Sequence, residues 1–398
     1  MNILILHNLY QHAGGEDGVV AAESALLKAG GHGVQVETVS NDAISGLKAK
    51  ARTFLATPYD PARKIWMREL IAHHKPEVVH IHNFFPLLTP AIHEASAEAG
   101  VAVVQTLHNY RLICAGALLM RGGQVCEKCV GGVPLWGAVH RCYRGSLPGS
   151  LASVRMQQRA RRRKTWQHHV HRFIALTDFA REKFIAGGLP ADRINVKPNF
   201  VAAAPVSQFP REGALFVGRL SPEKGVDVLL EAWRELAHIP LTIIGEGPER
   251  GRLEAMAKSM ALINVRFTGR ATQQEVRVHM LHAKALIMPS LWYEGFSMTM
   301  VEAFSCALPV IASRLGSMAE LVEDGAIGLH FTPGDAADLA KVIHAAFADP
   351  ARLTAMGGRA RTIYEHLYTP ERNLAMLEAI YGEAIAEVSD HFLKQEDE

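Results

Sequence analysis

Two carboxylates stand eight residues apart in Glu294-Gly295-Phe296-Ser297-Met298-Thr299-Met300-Val301-Glu302-Ala303. The preceding run, Ala285-Leu286-Ile287-Met288-Pro289-Ser290, reads as a short buried strand, and Ser297 through Ala307 reads as a helix ended by Pro309. Glu294 is therefore expected in the loop at the carboxyl end of a strand. Glu302 is expected about a turn and a half into the helix, so the two acids do not form an i,i+4 surface pair. They would approach one ligand from different directions. Between them, Gly295, Phe296 and Ser297 would offer free backbone N–H groups at a helix N-terminus, where the donors and the dipole favour a phosphate. Two solvated glutamates near a helix start is the plainer reading, but it leaves a second constellation unexplained.

That constellation is Phe216-Val217-Gly218-Arg219-Leu220-Ser221-Pro222-Glu223-Lys224-Gly225-Val226, an apolar strand opening into a turn and then a helix through Glu235. Arg219 and Lys224 would converge at the mouth of the sheet. A guanidinium forks onto phosphate oxygens and an ammonium supplies a compact charge, so the pair suits a diphosphate leaving group. Two further loops follow strands in the first half. In His7-Asn8-Leu9-Tyr10-Gln11-His12-Ala13-Gly14-Gly15-Glu16-Asp17, the pair Gly14 and Gly15 lets backbone approach a ligand, or merely makes a tight turn. In Thr106-Leu107-His108-Asn109-Tyr110-Arg111, His108 either serves a site or caps the turn. The other histidines, His80, His82 and the pair His168-His169 among them, are read as structural.

The G-R-L-x-x-x-K-G turn and the E-G-F-x-x-x-x-x-E segment together resemble the C-terminal half of the retaining glycosyltransferases of family four. The resemblance implies an α/β fold of the GT-B type, two facing Rossmann-like doubly wound domains with an interdomain cleft. It also implies roles. Arg219 and Lys224 would hold the donor diphosphate, Glu294 would lie near the sugar, and Glu302 would hydrogen-bond the nucleotide ribose. The glycine loop would lie near the donor phosphate and sugar, and His108 would reach the transferred sugar. The expected activity is transfer of a sugar, with retained configuration, from a nucleotide diphosphate sugar to a hydroxyl of a glycan or lipid-linked glycan, in surface polysaccharide assembly. No cofactor is expected for the chemistry. A sugar-nucleotide epimerase, a glycoside hydrolase using Glu294 and Glu302, and a non-catalytic membrane- or partner-binding scaffold are the alternatives. The hydrolase leaves Arg219 and Lys224 idle.

The chain must supply two sheets to position these loops. At 398 residues it exceeds what one core usually holds. With 48% hydrophobic and 21% charged residues it belongs with globular proteins rather than disordered or membrane-spanning ones. Strands are expected near Ile3–His7, Val34–Val39, Val78–His82, Val101–Leu107 and Phe173–Leu176. A second set is expected at Ala214–Val217, Leu241–Ile244, Val265–Thr268, Ala285–Met288 and Pro309–Ala312, alternating with helices. The N-terminal domain is placed at 1–199 with an insertion at about 114–142, and the nucleotide-sugar domain at 200–369. A terminal helix in 370–398 is expected to pack back on the first domain, with a frayed tail from Phe392. The N-terminus lacks a signal-peptide pattern, which predicts a cytoplasmic protein. A net charge of +2 gives no case for nucleic acid.

Cys114, Cys126, Cys129 and Cys142 fall within twenty-nine residues. A C-x2-C core flanked by a cysteine on each side suits one structural zinc, with Gly122, Gly123, Gly131 and Gly132 letting the loop wrap the ion; unligated thiols and disulfides are the other readings. Arg155, Arg159, Arg161, Arg162, Arg163 and Lys164 lie on an expected helix with Met156 and Trp166. The run is read as a solvated face or as a dock for an anionic membrane surface, which would place the protein peripherally on the inner face of the cell membrane. RNA binding is a third reading, with no aromatic stacking platform or recognisable RNA module to accompany the charge.

Overall fold

The computed structural model describes residues 1–11, 14–205, 207 and 210–396, the last six as backbone alone. His12 and Ala13 of the glycine loop, and residues 206, 208 and 209 shortly after the expected domain boundary at 199/200, lie outside the described residues. The chain divides into two compact units. The first holds Met1–Leu119, Glu127–Pro198 and the chain from Asn373 onward; the second holds Met120–Cys126 and Asn199–Arg372.

The first unit is built on β1 (Asn2–Leu9), β2 (Gly33–Ser40), β3 (Val78–Asn83) and β4 (Ala102–Thr106). After β4 the chain forms a two-stranded antiparallel hairpin that belongs to the second unit, β5 (Met120–Arg121) and β6 (Gln124–Val125). Then come β7 (Arg172–Ala175) and β8 (Ile194–Val196). The six-stranded sheet runs β2-β1-β3-β4-β7-β8, with every pairing parallel. Ile3, Leu4, Ile5 and Leu6 of β1 are all buried, as a strand covered on both faces requires. Gly122 and Gly123 form the two-residue turn of the hairpin at φ +57° and +78°, the left-handed pair such a turn needs, so their glycines are explained without a metal.

The second unit is built on β9 (Ala214–Val217), β10 (Leu241–Ile244), β11 (Val265–Gly269), β12 (Ala285–Met288), β13 (Val310–Ser313) and β14 (Gly328–Phe331). Its sheet runs β11-β10-β9-β12-β13-β14, again all parallel. The helix Val226–Trp233 shows why it packs: Val226, Leu229, Leu230 and Trp233 form one apolar stripe and are buried, and the Trp233 indole N–H donates to the Ile239 carbonyl at 2.9 Å.

In both sheets the strand order reverses once near the middle, between β1 and β3 in the first and between β9 and β12 in the second. Loops leaving the carboxyl ends on either side of such a reversal diverge and open a crevice, the usual ligand position in parallel sheets. The terminal helix, Pro370–Glu396, continues as helical backbone through residues expected to fray. The expected helix from Arg155 through Trp166 is two: Leu147–Arg163 ends at Lys164, whose φ of +49° breaks it, and Trp166 lies in Thr165–His168.

Candidate active site

In the second unit the loops after β9 and β12 leave the sheet on either side of its reversal. The first is the turn Gly218–Gly225. It must return to a helix within a few residues, and Gly225 makes this possible: it stands at φ +65°, where a Cβ would lie 2.1 Å from the Pro289 carbonyl oxygen of the second loop. Glycine here serves both the left-handed backbone and the close approach of the two loops. Gly245 plays the same part between β10 and this turn, since a Cβ there would lie 1.8 Å from the Gly218 oxygen.

The contact of the two loops brings Lys224 to Glu294. The Lys224 Nζ donates to Glu294 Oε1 at 2.6 Å, and the same oxygen accepts from Ser290 Oγ at 2.7 Å. Glu294 is 4% exposed, and its backbone carbonyl accepts from Ser317 Oγ at 2.6 Å. An ammonium has three donors, so Lys224 retains others for a ligand. It also lies 5.5 Å from the centre of the Trp292 ring, whose indole N–H is buried without a partner among the described residues. Arg219 is exposed at the exit of β9, and among the described residues the side-chain partners of the Glu294 carboxylate are Lys224 and Ser290. The two cations of the turn thus do not share that carboxylate.

Gly295 and Phe296 lead into the helix Met298–Ser305, with Ser297 as its cap: Ser297 Oγ accepts from the Met300 N–H at 3.3 Å. Glu302 lies in that helix, half-buried. Its Oε1 accepts from Gln273 Nε2 at 3.0 Å, and burial raises its pKa above the usual carboxylate value. The structure does not bring Glu302 and Glu294 together; they face different partners.

In the first unit the loops after β1 and β3 flank the other reversal. Gly14 caps the helix Gly15–Ala29, and its N–H donates to Asp17 Oδ2 at 2.9 Å. A Cβ at Gly14 or Gly15 would meet nothing within 4 Å among the described residues, so none of their atoms demands glycine at either position. The other Asp17 oxygen lies 2.7 Å from His7 Nε2. His108 does not stand alone. Its Nε2 is 2.9 Å from His82 Nδ1, with the rings stacked at 5.2 Å between centres. Burial pushes the His108 pKa down to about 3, and His80 and His82 well below the ordinary imidazole value.

Sequence reading passed over the groups beneath His108. His82 Nε2 lies 3.5 Å from Glu23 Oε2, and Glu23 Oε1 accepts from Lys197 Nζ at 2.6 Å, with both members of that ion pair fully buried. Lys197 also donates to Asn373 Oδ1 at 3.2 Å. His80 lies on the same face of β3 as His82 and uses both nitrogens: Nε2 at 2.8 Å from Thr106 Oγ1, Nδ1 at 2.7 Å from Tyr381 OH. Two signals were present in the sequence. His80 and His82 are i,i+2 in an otherwise apolar strand, so both point to one buried face and need partners. Glu23 falls on the stripe Val19, Val20, Leu27 of its helix, an acid at a core position.

Among the described residues the thiols of Cys114, Cys126, Cys129 and Cys142 do not form a group of three or more with ligand atoms within 4.8 Å of one another, so the structure gives no support to the expected zinc site. Among the described residues, the group of three or more metal-capable side chains with ligand atoms within 4.8 Å of one another is Glu23, His80 and His82. Those suit a metal poorly, because both His80 nitrogens are taken and Glu23 already neutralises Lys197. In the basic run, Arg155 stacks over Phe54 at 5.2 Å, Arg159 over Tyr59 at 4.3 Å, and Arg161 donates to the Gly132 carbonyl. Arg162, Arg163 and Lys164 are left exposed.

Comparison with known proteins places these features. The chain is 30% identical over 219 residues to the phosphatidyl-myo-inositol mannosyltransferase of Mycobacterium leprae, a match covering 51% of this chain and 57% of that one. Across the curated relatives, matches span from 32% to 57% of the relative's length. Among solved structures, sucrose-phosphate synthase of Thermosynechococcus elongatus superposes with a TM-score of 0.71 at 19% identity, covering 97% of this chain and 99% of that one. HepE of Anabaena, solved with UDP and glucose, superposes at 0.66 with 18% identity, covering 96% and 99%. These likenesses show the GT-B fold, two Rossmann-like parallel-sheet units. Residues 20–204 match the model of glycosyltransferase family 4 and residues 208–363 that of glycosyl transferases group 1, so the chain belongs to the family four, group 1 glycosyltransferases.

Proposed function

We propose that the protein transfers a sugar from a nucleotide diphosphate sugar to a hydroxyl of a glycan or lipid-linked glycan, with retained anomeric configuration. The observation that carries this reading is the position of Lys224, held by Glu294 at the strand-order reversal of the second sheet. Cleaving the bond between sugar and diphosphate moves negative charge onto the departing phosphate. Lys224, Arg219 and the N–H groups of Gly295, Phe296 and Ser297 would stabilise that charge, and losing one such preorganised donor typically costs about a hundredfold or more in rate. Glu294 is an anion held next to the ammonium, and it would steady the sugar as positive charge grows at the anomeric carbon. The unpartnered Trp292 N–H is a further donor for a ligand oxygen. Glu302 would hold the ribose.

In the first unit, the open space at Gly14 and Gly15 supports close approach of a ligand to the backbone, and His108 would meet a sugar hydroxyl. A lipid-borne acceptor is supported by the name of the Mycobacterium leprae relative and by the exposed Arg162, Arg163 and Lys164, since basic groups near an anionic membrane each contribute about 1 kcal/mol. Assembly of a surface polysaccharide on the inner face of the membrane is the corresponding setting. Among the described residues no helix is long and apolar enough to cross a membrane.

The test is to incubate the protein with nucleotide sugars and lipid-linked acceptors and read the anomeric configuration of the product by NMR. An α-linked donor giving an α-linked product supports the reading. An inverted product, or an epimerised donor with no transfer, contradicts it.

A further inference from the structure

We infer that Glu23 is a positioning residue that fixes the tautomer of His108 through His82, so that His108 presents an unprotonated Nδ1 to accept a hydrogen bond from a sugar hydroxyl. The last clause rests on the proposed function; the tautomer itself does not.

The argument starts at Lys197. Its ammonium is fully buried and bonded to Glu23 Oε1, to Asn373 Oδ1 and, at 3.4 Å, to the Pro198 carbonyl. Burial is the largest single effect and would raise the Glu23 pKa, but the charge and hydrogen bond of Lys197, with His82 and His108 nearby, together outweigh it and leave the carboxyl below its usual value, hence ionised. One carboxylate oxygen is spent on Lys197. The other, Oε2, is buried with no hydrogen bond among the described residues, and so is His82 Nε2, 3.5 Å away. Two orphaned buried atoms facing each other at this distance leave one good arrangement. If Nε2 carried a lone pair, it would face a carboxylate lone pair in a site of low dielectric; if it carries the proton, the two attract.

His82 is neutral, because burial holds its pKa well below the ordinary value. A neutral imidazole has one N–H, so protonation at Nε2 makes Nδ1 the acceptor. His108 Nε2 lies 2.9 Å from that Nδ1 and must therefore be the donor. His108 is neutral as well, which leaves the lone pair on its Nδ1. The sequence is forced from one end by a buried charge. His80 does not compete for His82, since Thr106 and Tyr381 occupy both its nitrogens. Second-sphere carboxylates set histidine tautomers in metal sites by the same logic, and their removal there costs about tenfold to a hundredfold.

The experiment is nitrogen–proton correlation NMR of the full chain carrying 15N-histidine, with His82 and His108 assigned by substitution. Both rings are expected as the Nε2–H tautomer at neutral pH. Glu23→Gln should shift His82 and His108 toward Nδ1–H, because an amide N–H can turn to face His82 Nε2. It should also lower kcat/KM for the nucleotide sugar by about tenfold or more, with the loss much reduced for a donor lacking the hydroxyl that His108 receives. If leaving Lys197 unpaired prevents folding, Glu23→Gln combined with Lys197→Met removes both charges and serves instead. An Nδ1–H tautomer of His108 in the wild-type protein overturns the inference, as does an unchanged tautomer in the variant. Absence of any sugar transfer by the wild-type protein would fail the proposed function and leave the tautomer assignment to be judged by the spectra.

Discussion

Lys224 has Glu294 at 2.6 Å on one side and the Trp292 ring at 5.5 Å on another, so its ammonium is fixed before any ligand arrives. Preorganisation of this kind makes a single charge count in a transition state. Lys224→Ala should lower kcat about a hundredfold or more, measured by donor turnover, with arginine a poor substitute because a planar fork does not fit the place of a point charge. Glu302 belongs to a different step. Since it would touch the ribose in ground and transition states alike, Glu302→Ala should raise KM for the nucleotide sugar about tenfold and leave kcat nearly unchanged. A fall in kcat alone would contradict that role. The types of these residues and their spacing were readable from the chain, because strand, loop and helix follow in a short stretch. The Lys224–Glu294 ion pair was not, because it joins residues seventy apart through the contact of two loops.

At the scale of elements, the two turns of the second unit depend on glycine where loops cross. Gly225→Ala meets both a φ of +65° and the Pro289 oxygen, and it should cost about 2 kcal/mol or more of stability, read from urea unfolding. In the first unit the sheet carries buried histidines with a consequence for acid stability. His7, His80, His82, His93 and His108 all have lowered pKa values, His93 at about 4 and His108 at about 3, each chiefly through burial. They stay neutral in the folded protein, while in the unfolded chain each takes up a proton near the ordinary imidazole value of about 6.5. The unfolded chain then binds more protons below that pH, so stability falls on acidification from about 6.5. Glu16, its carboxyl raised to about 8 by burial, and Glu302, raised by burial as well, oppose this and favour the folded form at lower pH, but they are two groups against five. Melting temperature should therefore drop by several degrees between about pH 7.5 and about pH 5.5; a flat profile would contradict the buried neutral state.

The strands that were legible carry an apolar pattern of their own, a run buried on both faces as in β1 and β12 or an alternation as in β2 and β11. The missed ones are the two-residue β5 and β6 and the short edge strands β8 and β14, which contain Asn195 and His330 and owe their conformation to the neighbouring strand rather than to their own pattern. The cysteines show how little spacing alone decides: it suggested one ligand set, while among the described residues their thiols do not gather three ligand atoms within 4.8 Å of one another.

The whole molecule consists of two parallel sheets, each with a single reversal of strand order and each with its polar residues gathered at the carboxyl ends of the strands flanking it. The donor assignment belongs to the second sheet, and the buried histidine chain to the first. Chain continuity adds one constraint: the helix that begins at Pro370 lies from Asn373 in the first unit, where Asn373 bonds Lys197 and Tyr381 bonds His80. Truncation before Asn373 should therefore expose Lys197 and His80 and lower the yield of folded protein, checked by expression and melting temperature. The central claim, that the second unit binds a nucleotide diphosphate sugar through Lys224, is tested most directly by thermal stabilisation against a panel of UDP-, GDP- and ADP-sugars with Lys224→Ala alongside. Binding to the folded state raises the melting temperature by mass action. The account predicts a rise with one nucleotide class that the variant loses; no rise with any of them, or an equal rise in the variant, would contradict it.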